Sequence, residues 1–247
     1  MRLTDLERID VYKLHPELLP FVGSEYEKYR VLHIGESHYI GQDKKKDNEK
    51  YDIKYFDKWW SESCEELTNE FGGWFNTRQV IENYLTSKNS KAYTIFTNVI
   101  KSFSKIVLKE DIKNITYEKK QIYNYFAFMN FFQMPSIYEG EKYWNSLWRS
   151  AKRNGDKQLA YDMWEKAVKE SIRTVDKVIE ILEPKAIIFT SISAGCAYKE
   201  NGGKYKDEKR VVYTSHPGYP YTWNKGLKSL DNKTGKECLE DKLKTIY

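Results

Sequence analysis

Between Gln158 and Tyr213 the hydrophobic period of the chain switches repeatedly, and few architectures accept the resulting order. Leu159, Met163, Ala167, Ile172, Val175, Ile179 and Leu182 recur at three- to five-residue spacing with charges between them, which predicts an amphipathic helix over 158–183. Asp156 suits the cap at its start, and Pro184 punctuates its end. Lys185-Ala186-Ile187-Ile188-Phe189-Thr190 then reads as a short apolar strand, Ser191-Ile192-Ser193-Ala194-Gly195 as a turn into a helix, and Val211-Val212-Tyr213-Thr214 as one more strand. Alternating helices and strands are the rhythm of a parallel sheet covered on both faces.

Two earlier segments extend that sheet. The strand at 29–35 carries apolar residues up to Ile34, and Gly35 permits a sharp turn where the chain leaves the sheet. Ligands of open α/β sheets sit outside the carboxyl ends of the strands, so Glu36, Ser37, His38 and Tyr39 stand where chemistry is expected. His33, inside the apolar run, reads as a satisfied core histidine. Phe126-Ala127-Phe128-Met129-Asn130-Phe131-Phe132 is a second apolar run, closed by Pro135. Residues 76–108 read as helices, and the polar stretch 42–50 as an exposed loop. The Trp59-Trp60 pair reads as core.

At 247 residues the chain suits one sizeable α/β domain. Its net charge of +5 is compatible with a polyanionic partner without demanding one. Lysines and arginines crowd two stretches, Lys142 to Lys157 and Lys199 to Arg210. Three cysteines far apart, with no CxxC pair, point to reduced thiols in a cytoplasm and away from a zinc knuckle or an iron–sulfur cluster. The N-terminal residues lack an apolar core of signal-peptide type, and no run approaches the roughly 18 apolar residues of a membrane span. A cytoplasmic monomer is the expectation.

Three strand-end segments thus hold Gly35-Glu36-Ser37-His38-Tyr39, Met129-Asn130-Phe131-Phe132-Gln133-Met134-Pro135 and His216-Pro217-Gly218-Tyr219. This ordered set, over roughly residues 29 to 224, resembles the uracil-DNA glycosylase superfamily. The resemblance implies a single domain over 1–247 with a three-layer αβα fold and a central, mostly parallel four-stranded sheet. Residues 76–120 are then a helical insertion that forms a lid or widens the pocket. It also implies an enzyme that flips a base out of DNA and hydrolyses its N-glycosidic bond, with no metal and no cofactor. Asn130 falls on the family's base-reading Asn, whose amide both donates and accepts. His216 falls on the His that hydrogen-bonds the departing base as negative charge develops. Glu36 falls where one branch carries a Glu that orients water or stabilises the sugar cation. Tyr39 aligns with the Tyr that guards the pyrimidine 5-position. Gly218, Tyr219 and Tyr221 belong to the late DNA-contacting loop, with Tyr219 or Tyr221 as the wedge that fills the vacated stack. Ser191 and Ser193, at a helix start, are candidates to bind a DNA phosphate. Trp74 and Phe75, after Gly72-Gly73, are placed to stack on the flipped base.

The departures from the family pattern point to alternatives. Ser37 stands where active branches often carry Asp or Asn, and His38 replaces the usual Pro. Either Glu36 or His38 then activates water, or the protein is a reader of modified or damaged DNA that no longer cleaves. The implied substrate is a modified or damaged pyrimidine, including phage-type modified bases met in antiviral defence, or uracil. Gly35-Glu36-Ser37-His38 also looks like the Gly-Glu-x-His signature of a hydrolase family, but among four histidines the second Glu/His motif of that family is missing.

Overall fold

Strand residues of alternating parity feed two different cores. The computed structural model describes residues 3–42, 51–71, 75–88, 93–138 and 141–247. Its sheet has five strands: β1 (Phe21–Val22), β2 (Val31–Gln42), β3 (Phe126–Tyr138), β4 (Ala186–Phe189) and β5 (Val211–Tyr213), in the order β1-β3-β2-β4-β5. Leu32 and Ile34 on β2, Ala127 and Met129 on β3, and Ile187 and Phe189 on β4 share one core cluster with Leu147, Met163, Val175, Ile179 and Tyr198. Val31, Phe126, Phe128, Ala186 and Ile188 fall in the other, with Ile81, Phe96, Ile100, Phe103 and Leu239. A period of two along the strands, with helices packed on both faces, makes three αβα layers.

β3, β2, β4 and β5 run parallel, with Leu32 opposite both Ala127 and Ile187, and Ile187 opposite Val211. The expected sheet of four strands is corrected by β1, a two-residue edge strand antiparallel to β3. So short a strand carries almost no period-two signal, and only pairing defines it. The helix Lys157–Leu182 follows its sequence pattern closely. Asp156 accepts a hydrogen bond from Leu159 N–H, and Glu183 leaves the helix in the left-handed region at φ 46° before Pro184.

A second correction matters more for function. The chain does not leave the sheet at Gly35: β2 continues to Gln42, and β3 runs straight through Pro135 to Tyr138. β4 reaches only as far as Ile34 along β2 and β1 only as far as Phe128 along β3, so beyond those points β2 and β3 form an overhanging parallel pair. The ladder pairs Ser37 with Phe132 but Tyr39 with Ser136, which puts Gln133, Met134 and Pro135 opposite one β2 residue. That bulge, on a stretch with no neighbour on its other side, is where a strand tolerates proline's missing N–H. Among the described residues no helix is long and apolar enough to cross a membrane.

Candidate active site

The overhang carries the polar residues. A cavity of about 620 Å³ is lined by Glu36, Ser37, His38 and Tyr39 from β2, Asn130 from β3 and His216 from the turn after β5. Phe128, Phe96, Ile95 and Val80 give it an apolar wall, and Tyr93, held at φ 61°, joins them. The cavity opens outside the carboxyl ends of the parallel strands, where strand order sends successive connections to opposite sides of β2.

Gly35 makes room rather than a turn. It sits opposite Asn130, and a Cβ built on it would lie 2.4 Å from Asn130 Oδ1. Only hydrogen fits under that amide. Neither the Asn130 amide nor the Ser37 hydroxyl has a hydrogen-bond partner among the described residues, although Ser37 is 92% buried (8% exposed). An unmatched buried hydroxyl costs about 1–3 kcal/mol, so the site holds hydrogen-bonding capacity that a ligand can use.

His216 is oriented by its own turn. Gly218 N–H donates to His216 Nδ1 at 3.1 Å, and a Cβ on Gly218 would lie 2.8 Å from the ring. A backbone N–H can only donate, so neutral His216 carries its proton on Nε2. Burial lowers its pKa to about 4, which keeps the imidazole neutral near pH 7. Asn98 Nδ2 donates to Pro217 O at 2.8 Å and ties the turn to the helix Thr94–Phe103.

Glu36 is anchored at the starts of two helices. Its Oε1 accepts from the N–H of Tyr143, the first residue of the helix Tyr143–Arg153, at 3.2 Å. Its Oε2 accepts from Ser191 Oγ at 2.6 Å. Ser191 also caps the helix Ile192–Glu200 by accepting from Ala194 N–H. Helix starts favour a carboxylate, and each oxygen keeps acceptor capacity after these single bonds. Ser191 is buried and turned inward to Glu36, which corrects its expected role on a DNA phosphate; Ser193 is half-buried on the same first turn.

His38 is also committed to the protein. Its Nε2 lies 2.9 Å from Thr77 Oγ1, whose hydroxyl donates to Leu18 O, so His38 is the donor there. Phe75 is fully buried, edge-on to Trp59 and 5.8 Å from the His38 ring. It is therefore core and not a stacking plate, a second correction among the site residues. Trp74 lies outside the described residues. Trp59 is fully buried, as expected, with His15 stacked on it at 3.7 Å.

Tyr219 and Tyr221 stand 56% and 66% exposed, the first edge-on to His216 at 5.1 Å. His33 is a core histidine. Tyr123 OH lies 2.7 Å from its Nδ1 and Thr190 Oγ1 2.9 Å from its Nε2, and burial lowers its pKa to about 3. Among the described residues no three His, Cys, Asp or Glu side chains converge as a metal ion requires.

No family model, curated protein or solved structure matches the chain.

Sequence reasoning missed the apolar wall, the Asn98 tether and a second carboxylate lining the cavity, Glu70, which accepts from Tyr51 OH at 2.5 Å. Phe128 was within reach, because it lies two residues before Asn130 on the same strand face. The wall from Val80, Ile95 and Phe96 carried no local signal, since their spacing also suits ordinary core.

Proposed function

We propose that the protein is a DNA glycosylase that extrudes a base into this cavity and hydrolyses its N-glycosidic bond. The observation that carries the reading is the convergence, in one cavity, of an amide, a hydroxyl and a neutral imidazole N–H with no internal partner, beside an aromatic wall. A flat heterocycle with donors and acceptors on its edge is the ligand such a set fits.

In this scheme the Asn130 amide reads the base edge, donating and accepting at once. Phe128 and Phe96 cover the apolar ring surface. His216 Nε2–H donates to a base oxygen as negative charge moves onto the leaving base, a contribution of about 10²–10³ in rate for a well-placed donor. Glu36 directs a water towards the sugar carbon as the glycosidic bond opens. The water oxygen bonds to that carbon, the bond pair leaves with the base, and the water's spare proton passes to Glu36. A cavity of about 620 Å³ exceeds what a bare pyrimidine needs, which favours a base bearing a substituent.

Abasic-site formation on DNA carrying the released base is expected to fall about 10²–10³-fold in His216→Ala and at least as far in Glu36→Gln. Unchanged activity in both variants would sink the assignment.

A second reading has an observation of its own. Ser37 brings a hydroxyl where cleavage by this scheme would be helped by a carboxylate, and Glu36 is already bonded by two helix starts. On that reading the cavity recognises a modified base without releasing it. DNA affinity specific for a modified base, with no release, would select it.

A further inference from the structure

A second cavity, of about 600 Å³, lies on the exposed side of the helix Tyr143–Arg153 and is lined by Glu141, Asn145, Trp148, Arg149, Lys152 and Arg153. The last five fall at helical spacings of three and four, so they form one continuous stripe. Among the described residues that line it, three cations stand with one acid, Glu141, which pairs with Arg149 at 2.9 Å. Lys152 is exposed and has no partner among the described residues.

The two arginines are fixed in place. Their guanidinium carbons stand 5.4 Å and 5.6 Å from the ring centre of one residue, Tyr138, at the end of β3, and Arg153 Nη1 donates to the Tyr138 hydroxyl at 2.9 Å. Holding both heads on one ring reduces the side-chain entropy lost when a ligand binds. In the other basic stretch Lys204 pairs with Glu180, and Arg210 binds Glu208 and Pro184 O.

We infer that this cleft is a phosphate site that grips the DNA strand beyond the extruded nucleotide. The inference rests on the DNA reading above. Placement supports it, because the same helix begins at Tyr143, whose N–H holds Glu36. At a rise of about 1.5 Å per residue, Arg149 to Arg153 lie roughly 9–15 Å along the helix from that anchor. With a rise of about 3.4 Å per nucleotide, that span covers about three to four nucleotides. Trp148 lines the cleft with Trp144 stacked on it at 5.8 Å and Lys157 Nζ 5.8 Å from its ring centre.

The test measures affinity for a fluorescent oligonucleotide across a salt series. The proteins compared are the wild type, the Arg149→Gln/Arg153→Gln double variant and Lys152→Glu. The double variant is expected to bind about tenfold more weakly near 0.1 M salt, with a log–log salt slope smaller by about 1.5–2. Lys152→Glu, which disturbs no internal contact, is expected to weaken binding several-fold, and it decides the matter if loss of the Tyr138 contacts unfolds the double variant. Base release from saturated complexes stays at the wild-type rate in both. Unchanged affinity and slope in a wild type that binds DNA would overturn the phosphate cleft and leave the glycosylase reading standing. A wild type that binds no DNA would overturn both. Displacement of the oligonucleotide by millimolar inorganic phosphate or a deoxynucleoside monophosphate would assign the cleft to a free phosphate ligand instead of a strand; failure to displace supports the strand.

Discussion

The two lengths of β2 behave as if they belonged to different proteins. From Val31 to Ile34 the strand lies between β3 and β4, every residue is fully buried, and His33 has both ring nitrogens bonded. From Gly35 onward only β3 accompanies it, and Glu36, Ser37, His38 and Tyr39 line the cavity. His33 and His216, which lines the cavity from the turn after β5, share a lowered pKa, from burial in both cases. They differ in use: His33 has no donor left over, whereas the Nε2–H of His216 faces the cavity. Where the sheet encloses β2 its histidine is satisfied internally; on the overhang Glu36 and His38 are bonded to neighbouring elements, and the Ser37 hydroxyl is left unmatched.

Gly35 sits at the boundary and gives the largest expected effect. In Gly35→Ala the new methyl displaces the Asn130 amide, so base release is expected to fall by 10² or more, as in Asn130→Ala. Thermal unfolding should change less, because the nearest atom a Cβ at this position meets is Asn130 Oδ1, with the Phe128 ring farther off at 3.2 Å. A large loss of stability with activity retained would erase the boundary. His33→Leu probes the other side. It leaves Tyr123 and Thr190 short of a buried partner and is expected to lower stability by about 2–4 kcal/mol, read from denaturant unfolding, while folded protein keeps its rate.

Acid sharpens the contrast. Both histidines have folded pKa values below the ordinary 6.5, at about 3 for His33 and about 4 for His216, so between those values and 6.5 the unfolded chain binds more protons. Stability therefore falls as pH drops from 6.5, by up to about 1.4 kcal/mol per pH unit for each histidine, and each contribution levels off below its folded pKa. His33→Leu should lose its share of that slope. Base release should show no inflection at 6.5, because His216 stays neutral; a limb there would mean the working form is the cation. The smallest effect is expected from Asn98→Ala, which frees the Pro217 carbonyl and costs about 1 kcal/mol, with a few-fold loss of rate from a looser His216 turn.

The αβα layering was legible in the sequence because it rests on period: the helix Lys157–Leu182 and the strands β4 and β5 follow the hydrophobic pattern almost residue for residue. The gathering of Glu36, Asn130 and His216 was legible in outline, since strand ends of a parallel sheet share one edge. Their local geometry was not. Gly35 and Pro135 both read as stops, and both lie inside strands, one making space for an amide and the other absorbed by a bulge. Ser191 read as an outward helix cap, yet its hydroxyl serves Glu36 from 155 positions away in sequence. Phe75 reads as a stacking plate because the Gly72-Gly73 before it say nothing about the tryptophan it packs on.

The central claim is that the unmatched donors and acceptors of the cavity receive an extruded base. Mass spectrometry of the free bases released by the purified protein from DNAs carrying uracil, common lesions and substituted cytosines and thymines tests it most directly. Release of one base is expected, abolished in Asn130→Ala and His216→Ala. No release from any of these DNAs, or release that persists in both variants, would contradict it.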